Sequence, residues 1–209
     1  MTFSTRFITR ASVIAVLYAA VTLLLAPISF GPVQFRVSEA FMLLAGLTSS
    51  AVPGLFVGCI VANLFGGFGV VDIAIGSIAT LLAAFVTHRL AVRLAGPADK
   101  TSSSGTTRSM RIRALVLPLP TILFNGLIVG GYLPFLIPEI RSMASNLYVV
   151  LTLSIGSVML GETVVTYAVG LPLYFGIRRT GVFRETAVQD GMDRTAGEPK
   201  GTSGPEKGS

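Results

Sequence analysis

Seven polar side chains stand in or beside otherwise apolar segments of this sequence: Gln34, Arg36, Glu39, Asn63, Asp72, Asn125 and Glu162. A charge at membrane depth costs about 3 kcal/mol even on lenient insertion scales, so such a residue is expected to face protein or a water-filled cavity and to have a task. Together the set offers three carboxylates, one guanidinium and three carboxamides. A carboxylate can accept parallel N–H donors from a guanine-like ring, a second acid can pair with an ammonium, and amides can read a ring carbonyl. Phe35, Phe41 and Tyr132 could stack against a flat ring. The same chemistry equally allows an amino acid or a protonated vitamin.

Each residue also has a plainer role. Glu39, with Ser38, and Asp72 could each cap a helix N-terminus, where the macrodipole favours an acid. Arg36 could serve only to neutralise Glu39. Asn63 and Asn125 could be hydrogen-bond glue between helices. Glu162 is hardest to explain in this way, because a helix interior needs no cap.

Catalysis finds little support. His88, the one histidine, stands beside Arg89 at a helix end, and no H-E-x-x-H, G-x-S-x-G or G-x-x-x-x-G-K-[ST] occurs. Cys59 is the single cysteine, which excludes an internal disulfide and a thiolate metal cluster; a buried small hydrophobe is the expected role. The residues imply no metal and no cofactor.

The elements that must position these groups are set by composition. Of 209 residues, 52% are hydrophobic and 12% charged, against about 25% charged in soluble domains. Charge-free blocks at 11–35, 40–71, 73–88, 114–138 and 142–161 approach or exceed the length of helix that crosses about 30 Å of hydrocarbon. The fold class is therefore all-α: an integral membrane bundle of six transmembrane helices, at about 7–27, 39–50, 52–66, 71–95, 111–131 and 147–178. A membrane domain over 1–179 carries a polar loop at about 96–110, and residues 180–209, poor in apolar side chains, read as a disordered tail. The N-terminal stretch lacks a cleavage pattern near 26–29 and reads as a retained first helix.

The net charge of +6 does not form an aromatic-interleaved basic face, so nucleic acid is not the partner implied. The basic residues gather at helix ends: Arg6 and Arg10, then Arg89, Arg93, Lys100, Arg108, Arg111 and Arg113, then Arg178, Arg179 and Arg184. The positive-inside rule makes these regions, and both termini, cytoplasmic. Loops at about 28–38, 66–72 and 132–146 then face outside, and Gln34, Arg36, Glu39, Asn63, Asp72 and Asn125 gather toward that side, with Glu162 deeper. A polar cavity open to the outside is the expectation.

Small residues recur at four-residue spacing: Ala11, Ala15 and Ala19, then Gly54, Gly58 and Ala62, then Gly126 and Gly130. Such faces let two helices approach closely in lipid, within the bundle or, for the first helix, against another membrane protein. Pro118, Pro120 and Pro172 predict kinks or breaks.

Several runs are familiar in order: LAPISFGPVQFRVSEA at 25–40, AVPGLFVGCIVANLF at 51–65, DIAIGSIATLLAA at 72–84, FNGLIVG at 124–130 and LGE at 160–162. The chain resembles, over about 7–178, the queuosine-precursor transporter (QueT) family, bacterial substrate-binding S components of energy-coupling-factor (ECF) transporters. The resemblance implies a six-helix subunit of the bacterial cell membrane that captures a deazaguanine-type queuosine precursor from outside. It implies no ATPase of its own, but a transmembrane coupling subunit and a cytoplasmic ATPase pair as partners. It also implies docking to the coupling subunit through an A-x-x-x-A face, which Ala11 and Ala15 match and Ala19 extends. The linker 96–110 and the tail are longer than a minimal member needs. The alternatives are a self-sufficient ion-coupled carrier in which Asp72 and Glu162 relay protons, and an S component for another vitamin-like molecule.

Overall fold

A computed structural model of the chain describes residues 4–30, 35–94, 112–180 and 182–183. Gln34, the loop at 96–110 and nearly all of the tail lie outside the described residues. Among those described, the architecture is all-α. Four helices are long and apolar enough to cross a bilayer, Thr5–Leu24, Asp72–Leu94, Ile112–Leu136 and Leu147–Thr180, and two shorter apolar ones, Val37–Gly46 and Ala51–Gly66, lie between the first and second of these. In chain order they are the first to sixth helices here. The protein is a multi-pass membrane protein, and its outward side chains, such as Val16, Leu64, Leu127 and Leu160, are apolar and exposed as a lipid-facing surface requires.

The first and third helices form the most closely packed pair. A Cβ at Gly54 would lie 2.6 Å from the carbonyl oxygen of Ala11, and one at Gly58 would lie 2.8 Å from that of Ala15 and 2.9 Å from Cβ of Tyr18. The small faces of the two helices therefore meet each other inside the bundle. Ala19 is buried as well. This is the packing alternative for Ala11 and Ala15: a face already against the third helix meets a second protein only if the two helices part.

The second helix is wound as a 3-10 helix over all 10 of its residues, where runs beyond three or four residues are uncommon. At about 2.0 Å rise per residue it reaches farther across the bundle than an α-helix of equal length. Side chains three apart then stand in line, which stacks Glu39, Met42 and Ala45, each buried. His88 Nδ1 lies 2.9 Å from the carbonyl oxygen of Ala45 and ties the end of this helix to the fourth.

The long helices are interrupted by single π turns, at Asp72–Gly76, Asn125–Val129 and Thr166–Gly170. Each inserts one residue and rotates the remainder of its helix by about 100° relative to a regular one. The last of them lies just before Leu171 and Pro172, where the missing N–H and the ring would otherwise disrupt the ladder. The fifth helix breaks into a turn at Leu117 and Pro118. It also runs past the expected end near 131, to Leu136, so Tyr132 is a helical residue and not part of a loop. A short helix, Pro138–Arg141, comes after it.

Candidate functional site: a buried polar cluster among five helices

Six of the seven polar residues singled out from sequence fall within the described residues, and all six are buried: Arg36, Glu39, Asn63, Asp72, Asn125 and Glu162. They come from the start of the second helix, the end of the third, the start of the fourth, the middle of the fifth and the middle of the sixth. The seventh, Gln34, is outside the described residues.

The cluster has two layers. In the outer one, Arg36 Nη2 stands 3.7 Å from Asp72 Oδ2, an ion pair too long for a hydrogen bond. The Arg36 guanidinium also lies 5.3 Å from the centre of the Phe30 ring, and that ring meets Phe68 edge to face at 5.9 Å. Tyr132 donates its hydroxyl to Asp72 Oδ1 at 2.6 Å, and Asn63 Nδ2 donates to the Asp72 backbone carbonyl at 3.0 Å. Gly76 sits among them: a Cβ there would lie 2.9 Å from the Tyr132 hydroxyl, 3.0 Å from Asn63 Nδ2 and 3.3 Å from Asp72 Oδ1. Its missing side chain is what lets this group come together.

In the inner layer, Tyr18 donates its hydroxyl to Glu39 Oε1 at 2.5 Å, and Asn125 Nδ2 donates to Glu162 Oε1 at 3.1 Å. Asn125 also touches Glu39, and the two glutamates are near enough to interact electrostatically. Thr22 Oγ1 and Ser38 Oγ, 2.6 Å apart, fasten the first helix to the start of the second beside Glu39.

This geometry decides among the plainer roles. Neither Glu39 nor Asp72 caps its helix through a side-chain hydrogen bond; both turn inward to tyrosines instead. Arg36 pairs with Asp72, not Glu39, because Asp72 opens the neighbouring fourth helix at the same end of the bundle while Glu39 is held by Tyr18. Asn63 does act as glue, yet only with its amide nitrogen. Cys59 is buried, and its sulfur accepts from Thr80 Oγ1 at 3.3 Å.

What marks the cluster as a site is its unspent hydrogen-bonding capacity. Buried polar groups in folded proteins are nearly always paired. Here Arg36 Nε and Nη2, Glu39 Oε2, Asn63 Oδ1, Asp72 Oδ2, Asn125 Oδ1 and Glu162 Oε2 are all buried without a hydrogen-bond partner among the described residues. Two π turns carry Asp72 and Asn125 themselves, and a third begins one helical turn after Glu162; such turns recur at functional sites. Among the described residues there is no group of three His, Cys, Asp or Glu side chains that could hold a metal ion.

Tyr18 and Gly76 are members of the candidate site that the sequence reading missed, and Tyr132, expected as a stacking ring, joins it through its hydroxyl. A signal for Tyr18 existed: a tyrosine within an apolar span needs a partner for its O–H. For Gly76 there was none, since its role depends on residues from two other helices.

Among known proteins, a family model described as "QueT transporter" matches residues 8–179. The chain is similar to "Queuosine precursor transporter QueT" of Lactococcus lactis subsp. cremoris (strain MG1363), 36% identical over 73 residues, which are 34% of this chain and 43% of that relative. The matched segment thus spans less than half of the relative's length. No solved structure matches.

Proposed function

The chain belongs to the QueT transporter family, and from that premise we propose that it is a membrane subunit that captures a queuosine precursor, a deazaguanine-type base, from outside the cell. The observation that carries this reading is the set of unpartnered buried donors and acceptors on Arg36, Glu39, Asn63, Asp72, Asn125 and Glu162. A flat heterocycle with both N–H groups and a carbonyl would satisfy such a mixed set. Gln34, two residues before Arg36 in sequence, is proposed as a further ligand contact.

Transport then needs an energy source. No nucleotide-binding loop occurs in the sequence, so the proposal includes a transmembrane coupling subunit and a cytoplasmic ATPase pair, as in ECF systems. The basic helix ends support a proposed orientation with both termini on the cytoplasmic side of a bacterial membrane and the site opening on the other. Docking of the coupling subunit through Ala11, Ala15 and Ala19 would require the first and third helices to separate; their contact at Gly54 and Gly58 supports the structural role for that face.

The test is calorimetry on the purified chain in detergent, with deazaguanines set against thiamine, biotin and riboflavin. The expected result is saturable binding of a deazaguanine at micromolar concentration or below and none of the vitamins. Absence of deazaguanine binding in that range overturns the proposal.

A further inference from the structure

We propose that the second helix is a two-state element, wound 3-10 while a ligand is held and rewinding toward α to let it go, so that Arg36 and Glu39 leave the site together. This rests on the reading of the cluster as a ligand site and adds how that site empties.

Backbone and side chains pull this helix in opposite directions. Its 3-10 run is 10 residues long, well past the usual three or four, and 3-10 hydrogen bonds have poorer geometry than α ones. The backbone alone therefore favours α. An α-type bond is already present at one end: the Leu44 carbonyl accepts from Leu47 N at 2.9 Å, the 3-10 pattern, and from Thr48 N at 3.0 Å, the α pattern. His88 Nδ1, 2.9 Å from the carbonyl oxygen of Ala45, fixes that end to the fourth helix. The ties that favour the 3-10 winding are all at the other end. Ser38 Oγ pairs with Thr22 Oγ1 at 2.6 Å, Glu39 with Tyr18, and Arg36 with Asp72.

Held at Ala45, the helix is a lever whose arm reaches Glu39, six residues away. An α-helix rises about 0.5 Å less and turns about 20° less per residue than a 3-10 helix, so rewinding draws Glu39 about 3 Å toward Ala45 and swings it through about 120°. Arg36, nine residues from Ala45, moves farther. None of the three ties survives such a turn. Little within the helix opposes it: apart from Ser38 and Glu39, the residues Val37–Gly46 are apolar or glycine. Met42, Leu43 and Leu44, all buried, fill three successive sides, so one aliphatic contact is exchanged for another. Ligand sets the balance through Glu39 Oε2 and Arg36 Nε and Nη2, which have no hydrogen-bond partner among the described residues. A ligand bonded to these atoms binds the 3-10 form and shifts the population toward it.

Spin labels at Val37→Cys, at the start of the second helix, and Val92→Cys, exposed near the far end of the fourth, read the length of the lever; the buried Cys59 is left in place. Double electron–electron resonance on the full chain in detergent is expected to give one distance when a deazaguanine saturates the site. Without it, a second distance about 4 Å shorter is expected. The same single distance with and without bound deazaguanine overturns the inference and leaves the site reading standing; no deazaguanine binding at all overturns both. Thr22→Val removes the tie to Ser38 without altering an unpartnered atom of the cluster. It is expected to enlarge the shorter population and to speed dissociation of the deazaguanine about fivefold, the worth of one hydrogen bond. Dissociation at the parent rate overturns the inference as well. The labelled pair decides where Thr22→Val does not fold, and the dissociation rate decides where the labelled pair does not.

Discussion

Arg36 and Asp72 show how far individual residues could be read in advance. That an arginine and three acids in apolar surroundings must face one another was legible from composition alone. Their pairing was not: Arg36 and Glu39 are neighbours in sequence, yet the guanidinium goes to Asp72 on another helix, a choice set by tertiary packing. The two tyrosines that steady the acids were likewise hidden by distance along the chain. Their assignments lead to opposed expectations. Asp72→Asn leaves the Arg36 guanidinium buried without its counter-charge, which costs about 3–5 kcal/mol. Tyr132→Phe keeps the ion pair and removes one donor, which costs about 1–3 kcal/mol. Thermal unfolding of the ligand-free protein in detergent should therefore fall distinctly further for Asp72→Asn; equal melting of the two variants would contradict the pairing. Glu39→Gln preserves an acceptor for Tyr18, so its melting should stay close to that of the parent. Its affinity for a deazaguanine should drop by about tenfold or more, the worth of a charged hydrogen bond, measured in the same titration.

At the scale of elements, the apolar blocks and basic flanks located the helices to within a few residues, because burial in lipid is written directly in composition. The ends of the second and fifth helices were misjudged for physical reasons. The second helix is buried on most of its surface, so hydrophobic periodicity could not separate a 3-10 winding from an α one. Tyr132 and Pro134 looked like loop residues, while the π turn at Asn125–Val129 and the packing of the fifth helix on the sixth carry the helix through them. The contact of the first and third helices has a consequence for the site. Gly58 abuts both the Ala15 carbonyl and Cβ of Tyr18, and Tyr18 holds Glu39. Gly58→Ala should destabilise the fold by about 1–3 kcal/mol, as overpacking does, and should weaken ligand binding by displacing Tyr18. Gly156→Ala, on the sixth helix with open space around the new methyl, should do neither. Melting and titration of the two variants side by side check this, and equal behaviour would mean that the first and third helices are not held at this distance.

For the molecule as a whole, the charges divide the bundle into two ends. Arg10 Nη2 donates to the carbonyl of Val182 at 3.2 Å, and Arg113 Nη2 donates to that of Leu94 at 3.2 Å. The start of the first helix thus adjoins the residues just past the sixth, and the fourth and fifth helices adjoin at a second basic corner. Arg36, Asn63, Asp72 and Tyr132 lie toward the ends of their helices remote from these corners. In the proposed orientation, with the basic end in the cytoplasm, the outer layer of the cluster would face the side from which a nutrient arrives, with Glu39, Asn125 and Glu162 beneath it. That arrangement bears on the carrier alternative. A relay needs acids free to rearrange as the site alternates, whereas Asp72 is held by Arg36 and Tyr132. Liposomes containing this chain alone, with a proton gradient imposed in either direction, are expected to bind a deazaguanine and to accumulate none. Accumulation driven by the gradient without any ATPase would show that the chain works as a carrier by itself. Accumulation that appears only when a coupling subunit and ATPases are reconstituted with it, and that requires ATP, would assign it the role of a capture subunit.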